Sequence, residues 1–366
     1  MDNLIIKNVF LLKSPLQLLN AIEARRHFGL LPGECLLILV ADRKSQGQLI
    51  NMIEAGEAWG GIVSLPSSKL SPVISSFQPG DSLQRFGRRY PLFGKPMFSV
   101  LKLRILAQRY RKVESVFIGD QKNALMRHFS NLAATEDVVA LDDGTATIKY
   151  ARERCAGEDG RPSRLGKRLG RFLKYLFFGL RDAAPEKLTF FSVYSVVLPQ
   201  KDHLVLNDYS YLRKNIAAIK TTQEVYFLGA PLVESGVLSE DQYLWHLTEA
   251  QRCLGGQSVI YVRHRREDPE RVRRIGHKLG WETTLFDFPI EYQLSQQGPR
   301  PEKLVSFFSS ALENCRLIFG DMMQIVAFRL SPEQMTCKGT PEAERVEMVY
   351  RHYEGCQSPS FQVVRL

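Results

Sequence analysis

Short apolar runs alternate with segments whose apolar residues recur every three or four positions, the two periods that separate strands from amphipathic helices. Ile5–Leu12, Leu36–Ala41 and Gly61–Leu65 read as strands, and Leu16–His27 and Gln46–Ala58 as the helices that follow the first two. Ser14-Pro15 supplies an N-cap and a first-turn proline to the earlier helix. Lys102–Arg111 reads as a helix, Ser115–Gly119 as a strand, Asn123–Leu132 as a helix and Val138–Leu141 as a strand, and the apolar runs of Leu188–Leu198 as a last strand and connection. The alternation restarts later in the chain. Strands are expected at Glu224–Gly229, Ser258–Val262, Thr283–Phe286, Leu304–Phe308 and Leu317–Phe319, and helices at Ser239–Cys253 and Asp268–Leu279. Continuous apolar strands between helices imply parallel sheets covered on both faces. The expected fold class is therefore α/β, with two Rossmann-like domains at 1–185 and 223–366 joined by a connection over 186–222.

Between these halves the pattern changes. Arg164, Lys167, Arg168, Arg171 and Lys174 recur at helical spacing beside Leu165, Leu169, Phe172, Leu173 and Leu176, and no acidic residue lies between Arg161 and Arg181. A basic amphipathic helix over 161–181 suits an anionic membrane surface, and equally a solvated helix packed on its own domain.

Composition narrows the class. The chain has 366 residues, 44% hydrophobic and 24% charged, the balance of a globular protein of about two domains. Its net charge of +10 points to an anionic partner. Cys35, Cys155, Cys253, Cys315, Cys337 and Cys356 form no C-x-x-C pair, so neither a zinc site nor a disulfide framework is expected. With no leader pattern at the start and no apolar run of membrane-spanning length, a cytoplasmic protein is expected. P-loop and G-x-G-x-x-G motifs are absent.

Candidate chemistry gathers where strands end. Asp142-Asp143-Gly144 closes a strand, where open α/β sheets bind ligands. Two adjacent carboxylates point in different directions, so one can face a ligand as a general base while the other is tied into the structure. An Asp-Gly turn explains the triplet as well. Arg263-His264-Arg265-Arg266 follows another strand and precedes a helix N-terminus, a setting that suits phosphate. A histidine with a pKa near 6.5 would donate a proton to a phosphate leaving group there. Ser309 and Ser310 stand at a third strand-to-helix crossing, and Glu291 lies in the preceding loop, placed to bind ribose hydroxyls.

In order, these segments resemble bacterial sialyltransferases, in particular glycosyltransferase family 52, the lipooligosaccharide sialyltransferase group. Ser14-Pro15-Leu16-Gln17 is similar to the family's T/S-P-x-Q loop, and Asp142-Asp143-Gly144-Thr145 to its acidic D/E-D/E-G motif. Phe227-Leu228-Gly229-Ala230-Pro231-Leu232 resembles the strand and loop that open the nucleotide domain. Phe288-Pro289-Ile290-Glu291 and Ser309-Ser310 resemble the nucleotide-binding loops. His264 stands where the family has His-Pro, with Arg265 in the proline position.

The resemblance implies a GT-B fold of two facing domains with a cleft between them. It implies an inverting, metal-independent transfer of a sialic-acid-like sugar from a CMP-sugar to a glycan hydroxyl. Asp143 would be the base and His264 the acid or electrostatic partner of the departing CMP. Gly229, Arg263, Arg265, Arg266, Glu291, Ser309 and Ser310 would bind the nucleotide, and Ser14, Pro15, Gln17, Asp142 and Gly144 would shape the opposite loop. No cofactor, metal or nucleic acid is implied. The acceptor would be a lipooligosaccharide or similar lipid-linked glycan at the inner face of the membrane, and a homodimer is left open. Transfer from CMP-Kdo or a nucleoside-diphosphate sugar stays an alternative, as does a non-enzymatic basic binding protein.

Overall fold

The computed structural model describes residues 5–40, 43–56, 58–65, 91–110, 113–133, 135, 137–159, 179–214, 216–336 and 340–366. The chain divides into two compact units, 1–207 and 208–366.

In the first unit the strands are β1 (Asn8–Leu12), β2 (Cys35–Leu39), β3 (Gly61–Ser64), β4 (Ser115–Ile118), β5 (Asp137–Leu141), β6 (Thr189–Ser192) and β7 (His203–Leu206). They form one sheet in the order β3-β2-β1-β4-β5-β6-β7, every pair parallel. The helices are α1 (Pro15–His27), α2 (Arg43–Ala55), α3 (Pro91–Arg109), α4 (Ala124–Leu132) and α5 (Thr145–Cys155). Alternate strand residues go to opposite faces. Val9, Leu11, Ile38, Val116, Ile118 and Ala140 pack with Leu103 and Leu106 of α3 and Met126 and Phe129 of α4. On the other face Phe10 stacks on Phe117 at 4.1 Å, and Phe28, just past α1, meets both Phe117 and Phe191 at 5.8 Å. Each such buried aromatic is worth roughly 1.5–3 kcal/mol of transfer free energy, so both faces of the central strands contribute to the core.

The second unit repeats the plan. Its strands are β8 (Thr221–Leu228), β9 (Val259–Val262), β10 (Glu282–Thr284), β11 (Arg300–Ser306), β12 (Gln324–Arg329) and β13 (Phe361–Arg365). They pair in the order β10-β9-β8-β11-β12-β13, again all parallel. The helices are α6 (Ser210–Arg213), α7 (Glu240–Leu254), α8 (Pro269–Leu279), α9 (Ile290–Tyr292), α10 (Ser310–Phe319) and α11 (Pro341–Gly355). α7 starts with a complete Ser239–Gln242 capping box and stops at Gly255 in the left-handed region. Phe227 anchors the core against Tyr261, Trp281, Phe307 and Phe328.

Two expectations are corrected. The strand expected within Leu188–Leu198 is β6, but a further strand, β7, also lies in the stretch expected as a connection and extends the first sheet, so the chain divides after Asn207. Leu317–Phe319, expected as a strand, is the last turn of α10, a helix that Ser309 caps at its start and Gly320 at φ 53° ends. The true strand is β12. The expected basic helix over 161–181 lies outside the described residues except for 179–181. Among the described residues, no helix is long and apolar enough to cross a membrane.

Candidate active site

In the first sheet the strand order reverses between β1 and β4, which opens a crevice at their C-terminal ends. The loops after β1, β4 and β5 fill it. Ser14 caps α1 by accepting a hydrogen bond from the Gln17 backbone N–H (3.3 Å), and Pro15 takes the first helical position. Gln17 is fully buried and its Oε1 accepts from the Lys13 backbone N–H at 2.8 Å. Gly119, at the end of β4, allows this close approach, since a Cβ there would stand 2.4 Å from Gln17 Oε1. Lys13 pairs with Asp120 across the crevice.

The two carboxylates of the acidic triplet are treated in opposite ways. Asp142 is 2% exposed. It accepts from Thr147 Oγ1 (2.8 Å), Ser192 Oγ (2.9 Å) and the Val193 backbone N–H (3.0 Å), which ties β5 to α5 and β6. Burial pushes its pKa up to about 6 in spite of these donors. Asp143 is half-buried, and its backbone N–H donates to Thr147 Oγ1 (2.9 Å). Its carboxyl pKa is raised, first by burial and then by Asp120, while the nearby Gln17 amide and Lys13 pull it down. Gly144 makes the turn at φ 66° and ψ −144°, a conformation essentially reserved for glycine. The result is one structural acid and, next to it, one partly exposed acid of raised basicity at a strand end.

In the second sheet the order reverses between β8 and β11. Gly229 follows β8. A Cβ there would stand 2.2 Å from Glu267 Oε2 and 2.6 Å from Tyr261 Oη. Glu267, 2% exposed, accepts from Tyr261 Oη (2.6 Å), the His264 backbone N–H (2.7 Å) and, more weakly, Tyr243 Oη (3.4 Å). Burial raises its pKa to about 7. Arg263 Nη1 donates to the Glu267 carbonyl at 3.0 Å. A buried carboxylate thus shapes the whole turn from Arg263 to Glu267, with Arg263 and Arg265 half-buried and Arg266 exposed.

His264 differs from expectation. Burial first, then Arg265 and Arg266, push its pKa down to about 4, so the ring is neutral at pH 7 rather than poised near 6.5. Its Nδ1 faces the Arg266 backbone N–H at 3.1 Å and accepts from it in the tautomer that leaves the ring proton on Nε2. In this state His264 offers a hydrogen bond to an anion instead of a charged acid.

Glu291 is 5% exposed, accepts from Asn314 Nδ2 of α10 at 2.9 Å, and has its pKa raised by burial. It stands behind α10 as a support, not as an open acceptor. Ser309 caps α10 through its hydroxyl, which accepts from the Ala311 backbone N–H at 3.2 Å. Tyr353 Oη clamps the same residue, accepting from its N–H (3.1 Å) and donating to its carbonyl (2.6 Å). Ser310 is half-exposed and is the better placed of the two hydroxyls to meet a ligand.

The structure therefore gathers Ser14, Pro15, Gln17, Asp142, Asp143 and Gly144 at one crevice of the first unit. In the second unit Gly229 follows β8 and Arg263–Arg266 follow the neighbouring β9, with Ser309 and Ser310 after β11. Sequence reasoning passed over Lys13, Asp120 and Tyr353. Lys13 and Asp120 each directly follow a strand end or its glycine, a signal that was available; Tyr353 lies 44 residues from Ser309 and carried none.

No family model and no curated protein matches the chain. Solved structures do. Glycyrrhiza uralensis UGT73P12, complexed with glycyrrhetinic acid 3-O-monoglucuronide, is 11% identical, with 99% of this chain and 81% of that one covered at a TM-score of 0.50. E. coli heptosyltransferase WaaC with ADP-2-deoxy-2-fluoro heptose is 12% identical over 94% and 99% of the two chains, TM-score 0.39. Anabaena Alr3699/HepE with UDP and glucose is 13% identical over 89% and 81%, TM-score 0.45. The likeness is one of fold: two parallel-sheet α/β domains of the GT-B type.

Proposed function

We propose that this protein is a glycosyltransferase that moves a sugar from a nucleotide donor to a glycan hydroxyl, and that the donor is a CMP-activated nonulosonic acid. The observation that carries the reading is the split of Asp142 from Asp143. A turn-forming Asp-Gly pair alone needs no second carboxylate locked by three donors beside a half-buried one of raised pKa. That arrangement supplies a general base at a ligand-binding strand end.

In the proposed reaction the acceptor hydroxyl gives its proton to the Asp143 carboxylate as its oxygen attacks the anomeric carbon. The anomeric C–O bond to phosphate breaks in the same displacement, inverting the centre, and CMP leaves with the bonding pair. Neutral His264 donates from Nε2 to the leaving phosphate, and the approach of that anion raises the imidazole's pKa. Arg263, Arg265 and Arg266 supply positive charge, and Ser310 a hydroxyl donor. These cations take the place of a divalent metal, so added magnesium or manganese is expected to leave turnover unchanged. Ser309 and Glu291 position the loop instead of binding the donor directly. The acceptor is proposed to be lipid-linked, with the basic segment 161–181 drawing the protein to the anionic inner face of the membrane.

Thermal shift with CMP, UDP and GDP tests the donor class. CMP is expected to raise the melting temperature most, and to do so less in an Arg263→Ala, Arg266→Ala variant. Stabilisation by UDP or GDP alone would move the protein to another donor class.

A further inference from the structure

A second cluster of reactive groups lies outside the proposed machinery. Glu313 is in the first turn of α10, His352 in the last turn of α11, and Cys356 caps the end of α11. His352 Nε2 stands 2.9 Å from Glu313 Oε1 and 3.9 Å from Cys356 Sγ, and all three atoms fall within 4.8 Å of one another. We infer that Glu313, His352 and Cys356 form a binding site for a borderline-soft divalent metal of the zinc class, which fastens the end of α11 to the first turn of α10.

A histidine–glutamate ion pair accounts for one contact, but a single imidazole nitrogen has one bonding direction, and here a carboxylate and a thiol converge on it. An ion at the common point engages all three. With metal–ligand distances of roughly 2.0–2.3 Å and tetrahedral angles, the ligand atoms of one zinc lie roughly 3–4 Å apart; the two contacts given bracket that range. The spacing of His352 and Cys356 puts both on one helical face, as for ligands one turn apart. The ligand types also fit: thiolate, imidazole and carboxylate together favour zinc over magnesium or calcium, which prefer oxygen.

With Cys356 as thiolate, Glu313 ionised and His352 neutral, a divalent ion makes the set electrically neutral. Thiol and imidazole ligands bind a metal in their deprotonated forms. Glu313 is 7% exposed at its side chain and His352 34%, which leaves a way in and a fourth position for water. Tyr353, between the two α11 ligands, is the residue that clamps Ser309, so the ion would stiffen the start of α10.

The sequence hid this site because Glu313 lies 39 residues from His352 and no cysteine has a paired partner. It does not depend on the proposed transfer reaction.

The test uses the full chain, reduced and stripped of metal. Titration with zinc against a chromophoric chelator is expected to give one tight equivalent per chain. Cobalt(II) in its place is expected to give a thiolate charge-transfer band and the visible absorption of a tetrahedral site. Cys356→Ser should abolish the charge-transfer band, and His352→Ala should weaken zinc by roughly tenfold or more. Cys253→Ser, at an exposed cysteine, should change neither. Circular dichroism confirms that each variant is folded, and Glu313→Gln serves if either fails. Substoichiometric binding, or a cobalt spectrum unaltered by Cys356→Ser, would overturn the site and leave only an ion pair.

Discussion

At the scale of single residues, activity turns on which groups are left able to react. Asp143→Asn keeps the shape of the triplet but removes the basic lone pair, so kcat is expected to fall by ~10²–10⁴ with little change in melting temperature. Steady-state kinetics beside a thermal melt checks this; near-normal turnover would pass the base role to another carboxylate. Asp142→Ala should do the reverse. It strands Thr147, Ser192 and the Val193 N–H, and unpaired buried donors cost about 1–3 kcal/mol each, so unfolding should shift clearly downwards. That two adjacent acids must divide into a tied and a free one is visible in the sequence. Which is which depends on Thr147 and on Ser192, fifty residues away, and no local pattern shows that.

At the scale of elements, the loop after β9 is governed by Glu267. Its folded pKa of about 7 lies above its ordinary value of 4.5, so its contribution to stability is full below pH 4.5 and is lost as pH rises through 7. Relative to Glu267→Gln, which cannot titrate, the native protein should lose on the order of 2–3 kcal/mol across that window. Denaturant unfolding of both proteins at several pH values measures it; a parallel pair of curves would show that Glu267 is not buried as described. Most strands and helices were legible because each carries its own period and cap: Ser239, Asp268 and Ser14 announce α7, α8 and α1. Elements near residues 317–365 were not. Leu317–Phe319 is too short for its period to tell helix from strand, and β12, α11 and β13 follow without a strong cap hydrogen bond at Thr340.

At the scale of the whole molecule, alternation of strands and helices was enough to give two parallel-sheet domains, while their boundary was not. β6 joins the first sheet by pairing with β5, and β7 by pairing with β6, contacts set by the sheet and not by nearby residues. Net charge acts at this scale too. Seven lysines and arginines between 161 and 181, each worth about 1 kcal/mol near an anionic surface, predict binding to anionic vesicles that fades with salt. Replacing Arg164, Lys167, Arg168 and Arg171 by glutamine should weaken co-sedimentation, and unchanged binding would remove the membrane role.

The central claim is transfer from a CMP-sugar with Asp143 as base. Its most direct test is CMP release and glycoside formation followed together, with a CMP-activated nonulosonic acid and a lipooligosaccharide acceptor. CMP and new glycoside are expected to appear in equal amounts, and both rates to fall by ~10²–10⁴ in Asp143→Asn. CMP release without glycoside, or equal rates in the native protein and the variant, would contradict it.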